Sequence, residues 1–475
     1  MKAKILTRMI LLLFTFAAGA CSKQLEEKPS SFVAPDNFFQ TAQQVETVFA
    51  ASMNTLWGYW EGYSYGYGNF IHDDQLNDGD LIISPSHGSG LWDAHYSSLL
   101  NINTAIAAIK AEKVQGVSAD EISLLIGQAK FIRAFNYFML VRMFGGVPLI
   151  TEDTPDPVSN PMPRASVTDV YNLIIADFTE AIDKLPASWP SAQGRPTKGA
   201  ARGLLAKVYL TMATAPLNET SNYQKAADLA WEVMQSGDYQ LVQDITKVFD
   251  LSNKYGPEMM WGFNSTYDDP ATDPQIWAPE NMDGWGDASV NPLWEQAIPD
   301  GPRKDAYLIT ELNGVHYTVW NVQHTPYIRK YLYISQDDFD SYASTINFPI
   351  IRYADVLLIY AEAANMANGG PTQAAVDAVN QVINRANGYA PVPGHPLLTT
   401  AMSKEAFDAA VIEERNQELC FENDRWFDLI RKRLLGEKNP EYVANFSEDD
   451  YLFPIPERDL RLNEQLVQNP GYPTP

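Results

Sequence analysis

Between residues 40 and 235, apolar side chains recur at spacings of three and four along five long stretches. That periodicity suits an α-helix and cannot be met by a strand, whose side chains alternate with period two. The stretches run from Tyr96 to Lys110, Glu121 to Phe144, Val167 to Leu185, Lys198 to Thr214 and Tyr223 to Gln235. Within Phe131-Ile132-Arg133-Ala134-Phe135-Asn136-Tyr137-Phe138 the pattern is apolar nearly all round, which marks a helix packed on two sides. Helical pattern returns at Arg352 to Met366, Thr372 to Ala386 and Lys404 to Arg433, ahead of a proline-rich tail.

The stretches read as antiparallel pairs. With Ala134 and Phe138 on one helix and Ala206 and Leu210 on another, they resemble tetratricopeptide hairpins, whose period is about 34 residues. Residues 241–349 break the pattern and gain Gly, Pro, Asp, Asn and Trp, as in WAPENMDGWG at 277–286. A structureless loop of that length is improbable unless functional, so a loop-rich subdomain is expected, with short strands around Val315 to Trp320 and Thr325 to Leu332. The expected fold is mostly α, a tetratricopeptide-like helical-hairpin scaffold with an irregular loop-rich ligand-binding subdomain and a few short strands. Its parts are a scaffold at 40–240 that carries an aromatic loop at 57–80, an insertion at 241–349, and a C-terminal part at 350–475 that completes the same domain.

Lys2, Lys4 and Arg8 precede the apolar run Ile10 to Phe16, and the small residues Ala17-Ala18-Gly19-Ala20 end at Cys21. This is the pattern of an export signal over residues 1–20. Ala18-Gly19-Ala20 fits an ordinary A-x-A cleavage site. Gly19-Ala20-Cys21 fits a lipobox, departing from the usual form in having Ala18 where Leu is common. The lipobox reading makes Cys21 a lipidated anchor and residues 21–39 a polar tether. No other segment approaches the roughly 20 apolar residues of a membrane span.

Against 34 Lys and Arg stand 59 Asp and Glu, a net charge of −25, which repels phosphate backbones and excludes nucleic-acid binding as a main role. Hydrophobic residues at 45% exclude a disordered chain. Two cysteines, Cys21 and Cys420, are too few for a disulfide framework, and Cys420 is expected to be a buried small hydrophobe.

Six segments, in order, resemble the SusD/RagB family: FIRAFNYFMLVRMFGGVPLITE (131–152), RPTKGAARGLLAKVYLTMA (195–213), IIRYADVLLIYAEAANMAN (350–368), VINRANG (382–388), VIEERNQELCFENDRWFDLIRKR (411–433) and LFPIPERDLRLNEQLVQNPGY (452–472). The resemblance implies a non-catalytic lipoprotein of the outer-membrane surface, held there through Cys21. Such a protein captures oligosaccharide or polysaccharide for a SusC-like TonB-dependent transporter. Some relatives, RagB-like, serve oligopeptide uptake instead. Glu414, Arg415, Glu418, Arg425, Asp428 and Arg431 stand at three and four spacings and are expected to pair along one helix, with Arg352 and Glu362 in the same structural role. Phe453-Pro454-Ile455-Pro456 is expected to be extended and to pack on the scaffold.

Enzyme motifs are missing. None of His72, His87, His95, His316, His324 and His395 forms His-Glu-x-x-His, and neither a Walker loop nor a Gly-x-Ser-x-Gly elbow is present. No cofactor is expected, and a structural calcium ion in the acidic loops is left open. Asp74 to Gly79 imitates a calcium loop, but Leu76 takes a ligand position and Pro85 stands where the bidentate Glu belongs. A secreted glycosidase stays open, because paired carboxylates cannot be recognised by spacing.

Sugars present C–H faces and hydroxyl rims, so their sites use exposed aromatics flanked by polar side chains. Two segments carry these ingredients. The first, Trp57 to Asn69 and the polar run after it, offers Trp60, Tyr65, Tyr67, Asp73 and Asn77. Trp57 and Tyr59 can equally be buried at the end of a helix. The second offers Trp277, Trp285, Trp294, Tyr317 and Trp320 among Asn281, Asp283, Asp287 and Asn291, each either a platform or part of a local minicore. Trp92 stands at a family position near the ligand, or packs at the start of its helix.

Overall fold

In a computed structural model of the chain, the described residues are 38–64, 88–155, 159–190, 194–266, 273–321, 323–342, 344–440 and 446–474, with 59–64 described as backbone. Six helices open the fold: α1 Ala42–Ser64, α2 Ser89–Lys110, α3 Ala119–Phe144, α4 Val167–Lys184, α5 Lys198–Met212 and α6 Asn222–Ser236. Each packs against the next. Local chemistry sets their ends. Ser118 and Glu121 form a capping box at the start of α3, while Ser166 and Thr197 cap α4 and α5 with their hydroxyls. From Phe131 to Phe144 every residue of α3 is buried, as its all-round apolar pattern requires.

The array does not stop at the insertion. Helix α7, Tyr353–Asn368, packs directly on α6, and α8 (Gln373–Ala386) and α9 (Lys404–Glu418) pack on α7. The insertion is bridged by an antiparallel strand pair, β1 Met259–Phe263 and β2 Phe348–Arg352, which returns the chain to the helices at Tyr353. Phe453 and Ile455 are buried, and the Phe453 amide donates to the Met143 carbonyl, so the tail packs on the end of α3. Among the described residues no helix is long and apolar enough to cross a membrane.

Three expectations are corrected. Lys404 to Arg433 is not one helix: α9 stops at Glu418, and Arg425–Lys432 forms a separate α10. Between them Phe421 and Asn423 take positive φ, 62° and 67°, which no α-helix accommodates. The strands expected at Val315 to Trp320 and Thr325 to Leu332 shrink to Val315–His316 and Tyr327–Ile328, and Tyr317–Trp320 is a helical turn. The charged residues of 414–431 do not pair along one helix either. Arg431 does reach Asp428 within α10, but Arg415 crosses the break to Asp428 and reaches Asp355, and Arg431 also bonds Glu362. These partners lie on different elements because the break turns one row of charges toward several neighbours.

A second buried network sits beside the first. Glu418 accepts from Arg385 at 2.7 Å, Arg352 at 2.8 Å, Arg303 at 3.3 Å and the Tyr307 hydroxyl at 3.0 Å. Glu258 accepts from Arg352 and Arg385, Glu414 from Arg303, and Glu422 from Arg352 and Lys330. All eight ionic groups are buried.

Burial alone would raise the Glu418 carboxyl, but the fields of Arg385, Arg352, Arg303 and Lys330 outweigh it and hold the group well below the usual carboxylate range. Glu362, buried against Arg431 and Lys432, is lowered to about 2 by the same balance. A carboxylate with a depressed folded pKa stabilises above its unfolded value of 4.5 and loses that contribution as pH falls through the folded value. Denaturant titrations should therefore show stability falling between pH 4.5 and about 2. Glu418→Gln should lose about 3–5 kcal/mol at pH 7, because it removes the one anion that three buried guanidinium groups share. Its acid slope over that window should also be shallower than wild type.

Candidate ligand-binding site

The loop at 278–286 folds back on itself. Its 3-10 turn, Glu280–Met282, ends at Asp283 with φ 60°, and the Trp285 and Gly286 amides donate to the Gln275 and Ala278 carbonyls. Gly284 is required, because a Cβ there would sit 2.0 Å from the Ala278 carbonyl oxygen. The loop's polar backbone is thereby satisfied internally and the Trp285 side chain is left outside, 46% exposed. Tyr342, 56% exposed, follows the short helix Gln336–Asp340, whose Phe339 carbonyl is held by the Gln275 amide. The Trp285 and Tyr342 rings stack with centroids 6.2 Å apart and planes 30° apart.

Trp320, half-buried, closes its helical turn and stacks on Tyr327 at 6.3 Å and 27°. The Tyr327 hydroxyl lies 3.1 Å from where a Gly286 Cβ would be, so one buried tyrosine abuts both the Trp285 loop and Trp320. Asn281, Asp283 and Asp287 are exposed on the same loop, and Asp340 is exposed at the end of the short helix that precedes Tyr342. The arrangement offers flat apolar faces beside carboxylates and amides. Among the described residues no group of three or more His, Cys, Asp or Glu could hold a metal ion.

The other aromatics expected in the insertion are corrected to a minicore. Trp277, 1% exposed, packs on Tyr331 at 4.8 Å. Trp294 is buried edge-on to Phe421 and donates its indole N–H to Asn416. Tyr317 is buried and donates to Glu295, which Lys304 also engages. An insertion with few helices must bury its own large side chains, and these three have no ring face left for a ligand. Trp92 is corrected likewise. It is buried between Tyr96 and Phe144 at the start of α2, on the floor of a cleft of about 770 Å³. Trp57 is buried against Phe263 and Phe348. Trp60 lies in the last turns of α1, described as backbone, and Tyr65, Tyr67, Asp73, Asn77 and the loop Asp74 to Gly79 lie outside the described residues.

Tyr342 was not expected. It stands between the small residues Ser341 and Ala343, and its partner Trp285 is remote in sequence, so composition gives no sign of the pair.

Trp277→Ala should cost about 3–5 kcal/mol in denaturant unfolding through the cavity it leaves. Trp285→Ala, at an exposed position, should change stability by about 0.5 kcal/mol or less.

A family model described as the SusD family matches residues 210–472, and one described as starch-binding associating with outer membrane matches residues 29–210. SusD-like protein P2 of Formosa agariphila is 29% identical, with 98% of each chain covered. A SusD homolog from Bacteroides thetaiotaomicron superposes with a TM-score of 0.79 at 24% identity, covering 92% of this chain and 98% of its own. Surface glycan-binding protein A from Bacteroides uniformis gives 0.73 at 21%, covering 90% and 99%. At these identities the solved structures show a shared fold.

Proposed function

Because the chain belongs to the SusD/RagB family, we propose that it is a non-catalytic, cell-surface glycan-binding lipoprotein. It captures oligosaccharide on the Trp285 and Tyr342 faces, with Trp320 alongside, and delivers it to a SusC-like TonB-dependent transporter. The lipidated Cys21 holds it to the outer membrane. The observation that carries the reading is the exposed, stacked pair Trp285 and Tyr342. Two large rings left in water, where most other described aromatics of the insertion are buried, suit a ligand with apolar faces. The exposed Asn281, Asp283 and Asp287 suit its hydroxyl rim. The matched description of starch binding at the outer membrane and the fold shared with a surface glycan-binding protein support the same assignment.

Stacking on a few rings contributes about 0.5–1.5 kcal/mol each. Affinity is therefore expected at about millimolar to tens of micromolar, roughly −4 to −6.5 kcal/mol. Weak binding suits hand-over, since a long-lived complex would retain its ligand.

Titration calorimetry of the mature chain, with Cys21 replaced, against soluble polysaccharides and oligosaccharides tests the reading. Trp285→Ala and Tyr342→Ala should each weaken binding about two- to tenfold, the equivalent of about 0.5–1.4 kcal/mol. Unchanged affinity in both variants would remove the platform. Heat with oligopeptides and none with any glycan would replace sugar capture by peptide capture.

A further inference from the structure

A second pair of exposed rings lies outside the insertion, on the helical array. The inward face of α6 is built of Ala226, Ala227, Ala230 and Val233, and small side chains let two helices approach closely. Trp231, beside that face and 40% exposed, lies against Tyr360 of α7 with ring centroids 5.2 Å apart and planes 32° apart. Tyr360 is the half-buried exception in a run of α7, Tyr353 to Asn365, that is otherwise buried. Both rings stand on regular helices, which hold a site more precisely than loops do.

The polar ends of these rings are free. Neither the Trp231 indole nitrogen nor the Tyr360 hydroxyl has a hydrogen-bond partner among the described residues, and both side chains reach water. Asp228, exposed one turn before Trp231, brings a carboxylate close enough to act on Tyr360, whose hydroxyl is pushed up by burial and then by that charge. Gln224, a further turn back, donates to Asp228 at 2.8 Å, and Gln235 is exposed one turn after Trp231. An aromatic face thus carries two free donors, a carboxylate acceptor and side-chain amides at its edge. A sugar ring offers the complement, a C–H face rimmed by hydroxyls that both donate and accept. A protein partner fits poorly, because a specific interface needs about 800 Å² on each side. Among the described residues no other large apolar side chain is exposed on α6 or α7.

We propose that Trp231, Tyr360 and Asp228 form a second glycan site, on the helical scaffold, which takes one or two sugar residues of a chain. The indole and the phenol donate to sugar oxygens, and the Asp228 carboxylate accepts from hydroxyls. The choice of sugar rests on the glycan-binding reading above. The pair shares no residue with the Trp285 and Tyr342 platform, so the two sites can fail independently. For a polymer long enough to reach both, the second contact forms at a raised effective concentration.

The test reads each site by its own signal. The mature chain, with Cys21 replaced, is labelled with fluorotryptophan at its 11 tryptophans, and the fluorine resonances lost in Trp231→Phe and in Trp285→Phe identify the two sites. Maltotetraose, cellotetraose, laminaritetraose, xylotetraose and mannotetraose are then titrated in turn. At least one should move the Trp231 resonance to saturation, with a dissociation constant of about 1–20 mM. Asp228→Ala, a change at an exposed position that the fold tolerates, should weaken that response at least about threefold. A Trp285 resonance that moves while that of Trp231 stays fixed overturns this site and leaves the platform standing. The reverse removes the platform and keeps this site. If neither resonance moves with any of the sugars, the site and the glycan-binding reading fall together. The proposal is also overturned if Asp228→Ala leaves the Trp231 response unchanged, or if that resonance moves with protein concentration alone, which assigns the face to contact between copies of this chain.

Discussion

Glu418 is the point on which the C-terminal half of the molecule is hung. Its carboxylate draws Arg303 and Tyr307 from the insertion, Arg352 from the end of β2 and Arg385 from α8, and its carbonyl accepts from Lys330. Charges of this kind are tolerated inside a protein only when nearly every lone pair and proton finds a partner, because the desolvation penalty of each ion is several kcal/mol. Such a network is therefore close to all-or-none. It forms once the insertion, the strand pair, α8, α9 and the turn after α9 have all taken their places. An apolar contact could slide by an ångström at little cost, whereas a guanidinium fork shared between two carboxylates cannot. The ionic cluster fixes the register of the irregular region more tightly than greasy packing would.

The break between α9 and α10 follows from the same constraint. Continued as a helix, residues 414–431 would present their charges along one or two faces, within reach of few elements. With Phe421 and Asn423 in the left-handed region, the chain turns so that Glu418 and Glu422 face β2 and the insertion while Arg431 reaches Glu362 on α7 and Asp428 turns back to Arg415 on α9. A non-glycine residue with positive φ is unfavourable by itself, and two close together are sustained by what the turn permits. The Phe421 carbonyl accepts from Tyr331 and its ring meets Trp294, so the turn also anchors the minicore of the insertion.

This explains what could be read from the residues and what could not. Helices α2 to α8 were legible to within a few residues, except that α2 begins at Ser89 rather than near Tyr96. Their apolar period is a local property, and Ser118, Ser166 and Thr197 mark starts with their own side chains. The break at Leu419 to Asp424 was illegible, because no Gly or Pro stands there and its cause lies in partners such as Arg352 and Arg385, distant in the chain. The aromatics failed for a related reason. Trp277 and Trp285 sit in the same stretch with similar neighbours, yet one is 1% exposed and the other 46%. What separates them is where the loop closes. The bonds from Trp285 and Gly286 back to Gln275 and Ala278 decide which ring faces inward, and composition does not record them.

The platform and its ionic support also bear on how weak binding can be useful. A sugar that stacks on rings already held in place forfeits little ordering entropy in the protein, so modest contact energy appears almost whole as affinity. Trp285 is held by backbone bonds to a segment that Gln275 ties to Phe339, the same stretch that presents Tyr342. Below it, Trp277 packs on Tyr331, whose hydroxyl bonds the turn beside Glu418. The rings thus connect through a few packed and hydrogen-bonded links to the buried charges. A rigid, open platform admits and releases ligand without waiting for a conformational change, so exchange is governed by contact energy alone. On the proposed reading, in which the ligand is passed on, a stiff foundation and a shallow site are complementary requirements, and the buried network supplies the first while exposure supplies the second.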